Sequence, residues 1–113
     1  MPPAPSPVLP GTLEFLILQS LRAGERHGLG VARRVEQITR GAFAVKAGSL
    51  FPALHRMERA GLVTSSWGES DNRRKARFYK LTARGRRQLE TEAIEWRRVI
   101  GALTAAIGAR HES

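Results

Sequence analysis

The sequence predicts one small, mainly α-helical domain that carries a single β-hairpin and ends in a long helix. Three observations lead there: apolar residues recur at helical spacing in four segments, one pair of β-prone runs flanks a polar, glycine-led loop, and 113 residues accommodate a single core. With 42% hydrophobic residues the chain buries a core. A domain of this size nevertheless buries only about two-thirds of its unfolded surface, which favours completion by a second copy. The absence of cysteine excludes disulfides, thiol catalysis and Cys-ligated zinc or iron–sulfur centres.

Five of the six prolines fall in residues 1–10, which predicts a disordered, Pro-rich arm there, a winged domain over 11–81, and a C-terminal helix and tail over 82–113. Thr12 is the expected N-cap of a first helix, with Leu13, Leu16, Ile17 and Leu21 on its apolar stripe and Gly24 at its end. After the polar run Gly24–Gly28, Val31, Val35 and Ile38 set a second helix closed by Gly41. Phe43–Val45 reads as a short strand. Ser49 opens a third helix with Pro52 in its first turn, where the missing amide has no helical partner anyway. Leu50, Leu54 and Met57 form its buried stripe and Gly61 ends it. Leu62–Trp67 and Ala76–Leu81 are the hairpin strands, joined by the loop Gly68–Lys75, which finishes in three cations. Thr82 caps the last helix, expected to reach about Ala109. Along it Leu89, Ala93, Trp96, Ile100, Leu103 and Ile107 are spaced 4, 3, 4, 3, 4, as in a coiled-coil seam. That seam is too short to stand alone, so it also packs partly on the first helix.

The formal net charge is +9, from 19 basic and 10 acidic side chains, and points to a polyanionic partner. The excess is concentrated at residues 25–60, with 7 basic against 3 acidic, and at 61–81, with 5 against 2. No stretch has the apolar length of a membrane span and the N-terminus lacks a signal-peptide pattern, so the expected compartment is the cytoplasm. His27, His55 and His111 stand apart, without a second ligand at metal spacing, and no phosphate-cradling or nucleophile motif is present. The sequence therefore predicts no enzyme, no metal and no cofactor.

Three helices followed by a basic hairpin is the winged helix-turn-helix order, in which the third helix enters the major groove of DNA and the wing tip follows the phosphates. Arg73, Arg74, Lys75 and Arg77 are the candidate wing contacts; four cations within five residues repel one another unless an anion is near. Lys46 and the amides around Ser49 offer a second anion site at a helix N-terminus. Phe51, Pro52, His55, Arg56 and Arg59 lie on the outer face of the third helix, with His55, Arg56 and Arg59 the candidates for base or nearby phosphate contacts. Of Arg33 and Arg34, one is expected to face phosphate and the other solvent.

The runs Gly11–Leu18, His27–Val31, Gly48–Glu58 and Arg77–Thr82, followed by Gly85, resemble the successive signature blocks of the PadR family of bacterial transcriptional regulators. The resemblance covers roughly residues 11–107, and the single last helix is similar to the short subfamily. It implies a homodimer joined through the Leu89–Ile107 seam and binding to a pseudo-palindromic operator as a repressor. It also implies a site for flat aromatic effectors where the last helices meet, with Trp96 beside Ala93 as its residues; simple dimer packing is the other reading of Trp96. The chain departs from the family at Leu29 and Phe51, where tyrosine is usual. Phe51 is either a core aromatic beside Leu50 or an apolar edge for a thymine methyl. A winged helix that serves as a protein-interaction module, without sequence-specific DNA binding, is the alternative function. A membrane-surface binder would need an amphipathic helix with a strongly cationic polar face, which the chain lacks.

Overall fold

The computed structural model describes residues 11–109. In chain order they form α1 (Thr12–Ser20), β1 (Arg26–His27), α2 (Gly28–Ile38), α3 (Ala47–Arg59), β2 (Val63–Glu69), β3 (Lys75–Leu81) and α4 (Ala83–Gly108). The strands make one antiparallel sheet in the order β1-β3-β2, with Arg26 opposite Tyr79 and Val63 opposite Leu81. This is a winged helix-turn-helix with a long helix appended. The arm expected at residues 1–10, and His111, lie outside the described residues.

The core forms where the apolar stripes converge. Ile17, Leu18 and Leu21 meet Val31 of α2, Leu50, Leu54 and Met57 of α3, Val63, Tyr79 and Leu81 of the sheet, and Leu89 of α4. Gly61 ends α3 in the left-handed region at φ 78°, which lets the Leu62 amide donate back to the Met57 carbonyl at 2.9 Å and turns the chain into β2. Thr82 does cap α4: its hydroxyl accepts from the Gly85 amide at 2.9 Å and donates to the Gly61 carbonyl at 2.7 Å, tying the start of α4 to the end of α3.

Several local expectations are corrected. The N-cap of α1 is Gly11, at φ 85°, and Thr12 is the first helical residue; the Gly11 carbonyl accepts the first helical bond, from Phe15. α1 ends at Ser20, ahead of Gly24. α2 begins earlier than the polar run suggests, because His27 acts as its N-cap, with Nδ1 accepting from the Gly30 amide at 3.1 Å. Phe43–Val45 is irregular rather than a strand; β1 and β2 already occupy both edges of β3. α3 starts at Ala47 with Lys46 as its N-cap. Pro52 is therefore in the second turn rather than the first, where its ring removes a helical bond to Gly48; both residues are exposed, so water reaches that carbonyl. The hairpin strands extend further than expected, leaving only residues 70–74 as the loop.

The molecule measures 62 × 37 × 21 Å and its radius of gyration is 16.2 Å, against about 13 Å for a compact chain of about 100 residues. The elongation comes from α4, whose residues 100–108 are all exposed in the protomer.

Candidate nucleic-acid interface

α3 separates its residues cleanly. Leu50, Ala53, Leu54 and Met57 face the core, while Phe51, Pro52, His55, Arg56 and Arg59 are exposed. Phe51 lies over the first residue of α2, where a Cβ added to Gly28 would meet its Cε1 at 2.5 Å and its Cζ at 2.9 Å. With 36% of its surface exposed it is not a core aromatic, and it is fixed in place by that backbone contact. Arg56 pairs with Glu14 of α1 at 3.6 Å, a bond that a contact elsewhere has to replace. Lys46 and Ser49 are exposed at the helix start. The Ser49 and Leu50 amides already donate to the Lys46 carbonyl, so the amides left to receive an anion are those of Ala47 and Gly48 rather than those around Ser49.

The wing is organised by strand parity. Val63, Ser65 and Trp67 pair with Leu81, Tyr79 and Arg77, and side chains two apart share a face. On that face Ser65 donates to Glu58 of α3 at 2.6 Å and accepts from Arg77 Nε at 2.9 Å. Arg77 also approaches Glu58 at 4.0 Å and lies over the Trp67 ring at 5.3 Å, with Lys75 at 6.0 Å. Arg77 is thus a brace between the wing and α3 as much as a free cation. Burial pushes the Tyr79 phenol above its ordinary range, against the opposing pull of Arg77.

The wing tip closes with the Ser70 amide donating to the Arg74 carbonyl and the Arg73 amide donating to the Ser70 carbonyl, both at 2.8 Å. This turn needs a left-handed residue, and Arg73 supplies it at φ 57°. Glycine takes that conformation without the steric cost of roughly 1–2 kcal/mol that an L side chain bears. An arginine held there keeps a cation at the tip at some expense of stability. Arg73, Arg74 and Lys75 are all exposed.

Between α3 and the wing runs an open groove of about 640 Å³ whose lining includes His55, Phe51, Leu29, Arg33, Trp67, Arg74, Lys75 and Arg77, with Asp71 at its edge. Arg33 lines this groove, whereas Arg34 bonds Gln37 and lines the depression between α1 and α2. Trp67, 62% exposed, was not among the residues expected at the site; the alternation from buried Val63 through Ser65 is the signal that places it on the inner face. The groove combines guanidinium and ammonium groups with apolar side chains in its lining, a combination suited to a polyanion with an apolar edge.

Along α4 the seam divides. Leu89 is buried in the protomer's own core. Ala93 and Trp96 are half-buried, the Trp96 ring 5.9 Å from that of Phe15 on α1. Ile100, Leu103 and Ile107 are 56%, 51% and 84% exposed. Among the described residues, no group of His, Asp or Glu side chains forms a metal cluster, and no helix is long and apolar enough to cross a membrane.

A winged helix whose third helix and wing expose basic side chains is the architecture of many transcriptional regulators. The chain belongs to the PadR-like family of transcriptional regulators, whose profile matches residues 17–91. A PadR family transcription regulator from Clostridium difficile is 28% identical, with a TM-score of 0.73 over 85% of this chain and 98% of its own. A PadR-like transcriptional regulator from Bacillus cereus is 25% identical, with a TM-score of 0.76 over 88% and 95%. PadR of Bacillus subtilis, solved in complex with operator DNA, shares the fold at 23% identity, with a TM-score of 0.65 over 73% of this chain and 46% of its own.

Proposed function

We propose that the protein is a homodimeric repressor that binds a pseudo-palindromic operator in double-stranded DNA through α3 and the wing. The observation that carries this reading is the groove between those elements, lined by Arg33, Arg74, Lys75 and Arg77, with Arg73 at the wing tip held in a conformation that favours glycine. The operator complex of the Bacillus subtilis relative supports the choice of partner. In this reading Lys46 and Ser49, with the free amides of Ala47 and Gly48 at the start of α3, and Arg73, Arg74 and Lys75 meet phosphates. Phe51, Pro52, His55, Arg56 and Arg59 face base edges or the adjoining backbone, and Arg77 holds the wing at its angle.

The second copy packs along α4, because Ile100, Leu103 and Ile107 would otherwise stay in water. Trp96 with Ala93 then borders the dimer axis, where a planar aromatic effector would stack on the indole and change the spacing of the two α3 helices. The regulator acts in the cytoplasm, by occupying a promoter.

Selection from a random-sequence duplex pool, followed by footprinting on genomic fragments, tests the reading. It should enrich an inverted repeat and protect both half-sites. A pool without enrichment, at low as well as moderate salt, contradicts it.

A further inference from the structure

Seven large apolar side chains are exposed among the described residues, and four of them, Ile94, Ile100, Leu103 and Ile107, lie on α4. The other three, Leu29, Phe51 and Trp67, all line the groove between α3 and the wing. They come from three different elements, α2, α3 and β2, which only the fold brings together. The same groove is lined by Arg33, Arg74, Lys75 and Arg77, and apolar and cationic groups together suit a partner that is anionic outside and apolar within. A duplex offers one apolar group on its major-groove base edges, the thymine 5-methyl.

We propose that Leu29 and Phe51 form a reading strip that recognises thymine methyl groups in the operator, with Trp67 lining the same groove. This rests on the DNA-binding reading above. Phe51 has no hydroxyl to hydrogen-bond a base, and its ring is seated on Gly28, where a side chain would displace it. Its aim is thus set before DNA arrives. Leu29 follows Gly28 directly and is 56% exposed at the first turn of α2. Trp67 is held by Arg77 and Lys75 over its ring, so the same residues that line the apolar wall orient cations toward the flanking phosphates.

The test uses the duplex enriched from the random pool, with each thymine replaced in turn by deoxyuridine, which removes the methyl and nothing else. Affinities are read by fluorescence anisotropy at one fixed salt concentration. At one or more thymines per half-site, wild-type protein should lose about fourfold in affinity per methyl contacted. Leu29→Ala and Phe51→Ala should bind thymine and deoxyuridine duplexes equally at those positions. Leu29 is exposed and outside the core, so its variant decides the matter if circular dichroism shows that Phe51→Ala has lost its fold. Equal wild-type affinity for every thymine and deoxyuridine duplex overturns the proposal while leaving DNA binding intact. A deoxyuridine effect that persists unchanged in both folded variants, or in Leu29→Ala when it alone folds, also overturns it. Failure to capture any duplex removes this proposal together with the reading on which it rests.

Discussion

Gly85 stands in the first turn of α4, where replacing glycine by alanine would ordinarily help. In a helix, alanine is favoured over glycine by roughly 1 kcal/mol. Here a Cβ would be driven into the Leu62 carbonyl oxygen and would stand 3.1 Å from the Leu62 carbonyl carbon and 3.3 Å from Leu81 Cδ2. The obstacle is backbone, not the end of a flexible side chain. That carbonyl also accepts from the Thr82 amide at 3.1 Å and shares the Thr82 hydroxyl proton with the Gly61 carbonyl, so moving it strains the joint between the wing and α4. Overpacking costs about 1–3 kcal/mol, and the two threatened hydrogen bonds about 1 kcal/mol each. After the propensity gain, Gly85→Ala should destabilise the protein by about 2–4 kcal/mol, on the order of 10–25 °C in Tm. Gly101, in the same helix, has open space where a Cβ would go, so Gly101→Ala should keep or raise stability. Urea unfolding followed by circular dichroism, at several protein concentrations, reads both variants. A Gly85→Ala protein as stable as wild type would refute the reasoning about this close approach.

Ile100→Glu with Leu103→Glu should leave the protomer folded, since both side chains are exposed in it, and should abolish the dimer in sedimentation velocity; a folded, dimeric double variant would count against the α4 seam. Arg73→Gly should leave stability unchanged or raised, because it relieves a left-handed arginine while adding chain entropy to the unfolded state. Its affinity for duplex DNA should fall, and a variant that binds as well as wild type would remove Arg73 from the interface. Planar aromatic compounds should quench Trp96 fluorescence saturably in a Trp67→Phe background, and Ala93→Leu should block the effect; quenching that survives Ala93→Leu would place the compounds elsewhere.

Periodicity was legible wherever an element was long enough to repeat. The buried stripe Leu50, Leu54 and Met57 of α3, the two hairpin strands and the Thr82 cap follow from spacing and capping chemistry alone. β1 is two residues long, too short for any alternation, and exists because the Arg26 guanidinium donates to the Ser20 carbonyl at 2.9 Å and His27 packs edge-on against Phe78. Those are contacts between segments that a linear reading does not see. The same limit hid the pairing of Arg56 with Glu14 and the brace from Glu58 through Ser65 to Arg77. The eleven side chains expected to meet DNA are all exposed, because the cations and the outer stripe of an amphipathic helix declare their side. Strand alternation gave the face of Trp67 but not its exposure, and Leu29 carried no sign at all, being an apolar residue that the fold leaves in the groove.

Regulation by this protein would rest on duplex DNA binding through α3 and the wing, and the salt dependence of that binding is its most direct test. A dimer that used two wings and two α3 termini would contact on the order of 6–10 phosphates, which predicts a log–log slope of about −5 to −9. Replacing Arg73, Arg74 and Lys75 by Ala should flatten this slope and weaken binding to all sequences about equally. Binding that is insensitive to salt, or a triple variant with wild-type slope and affinity, would contradict it.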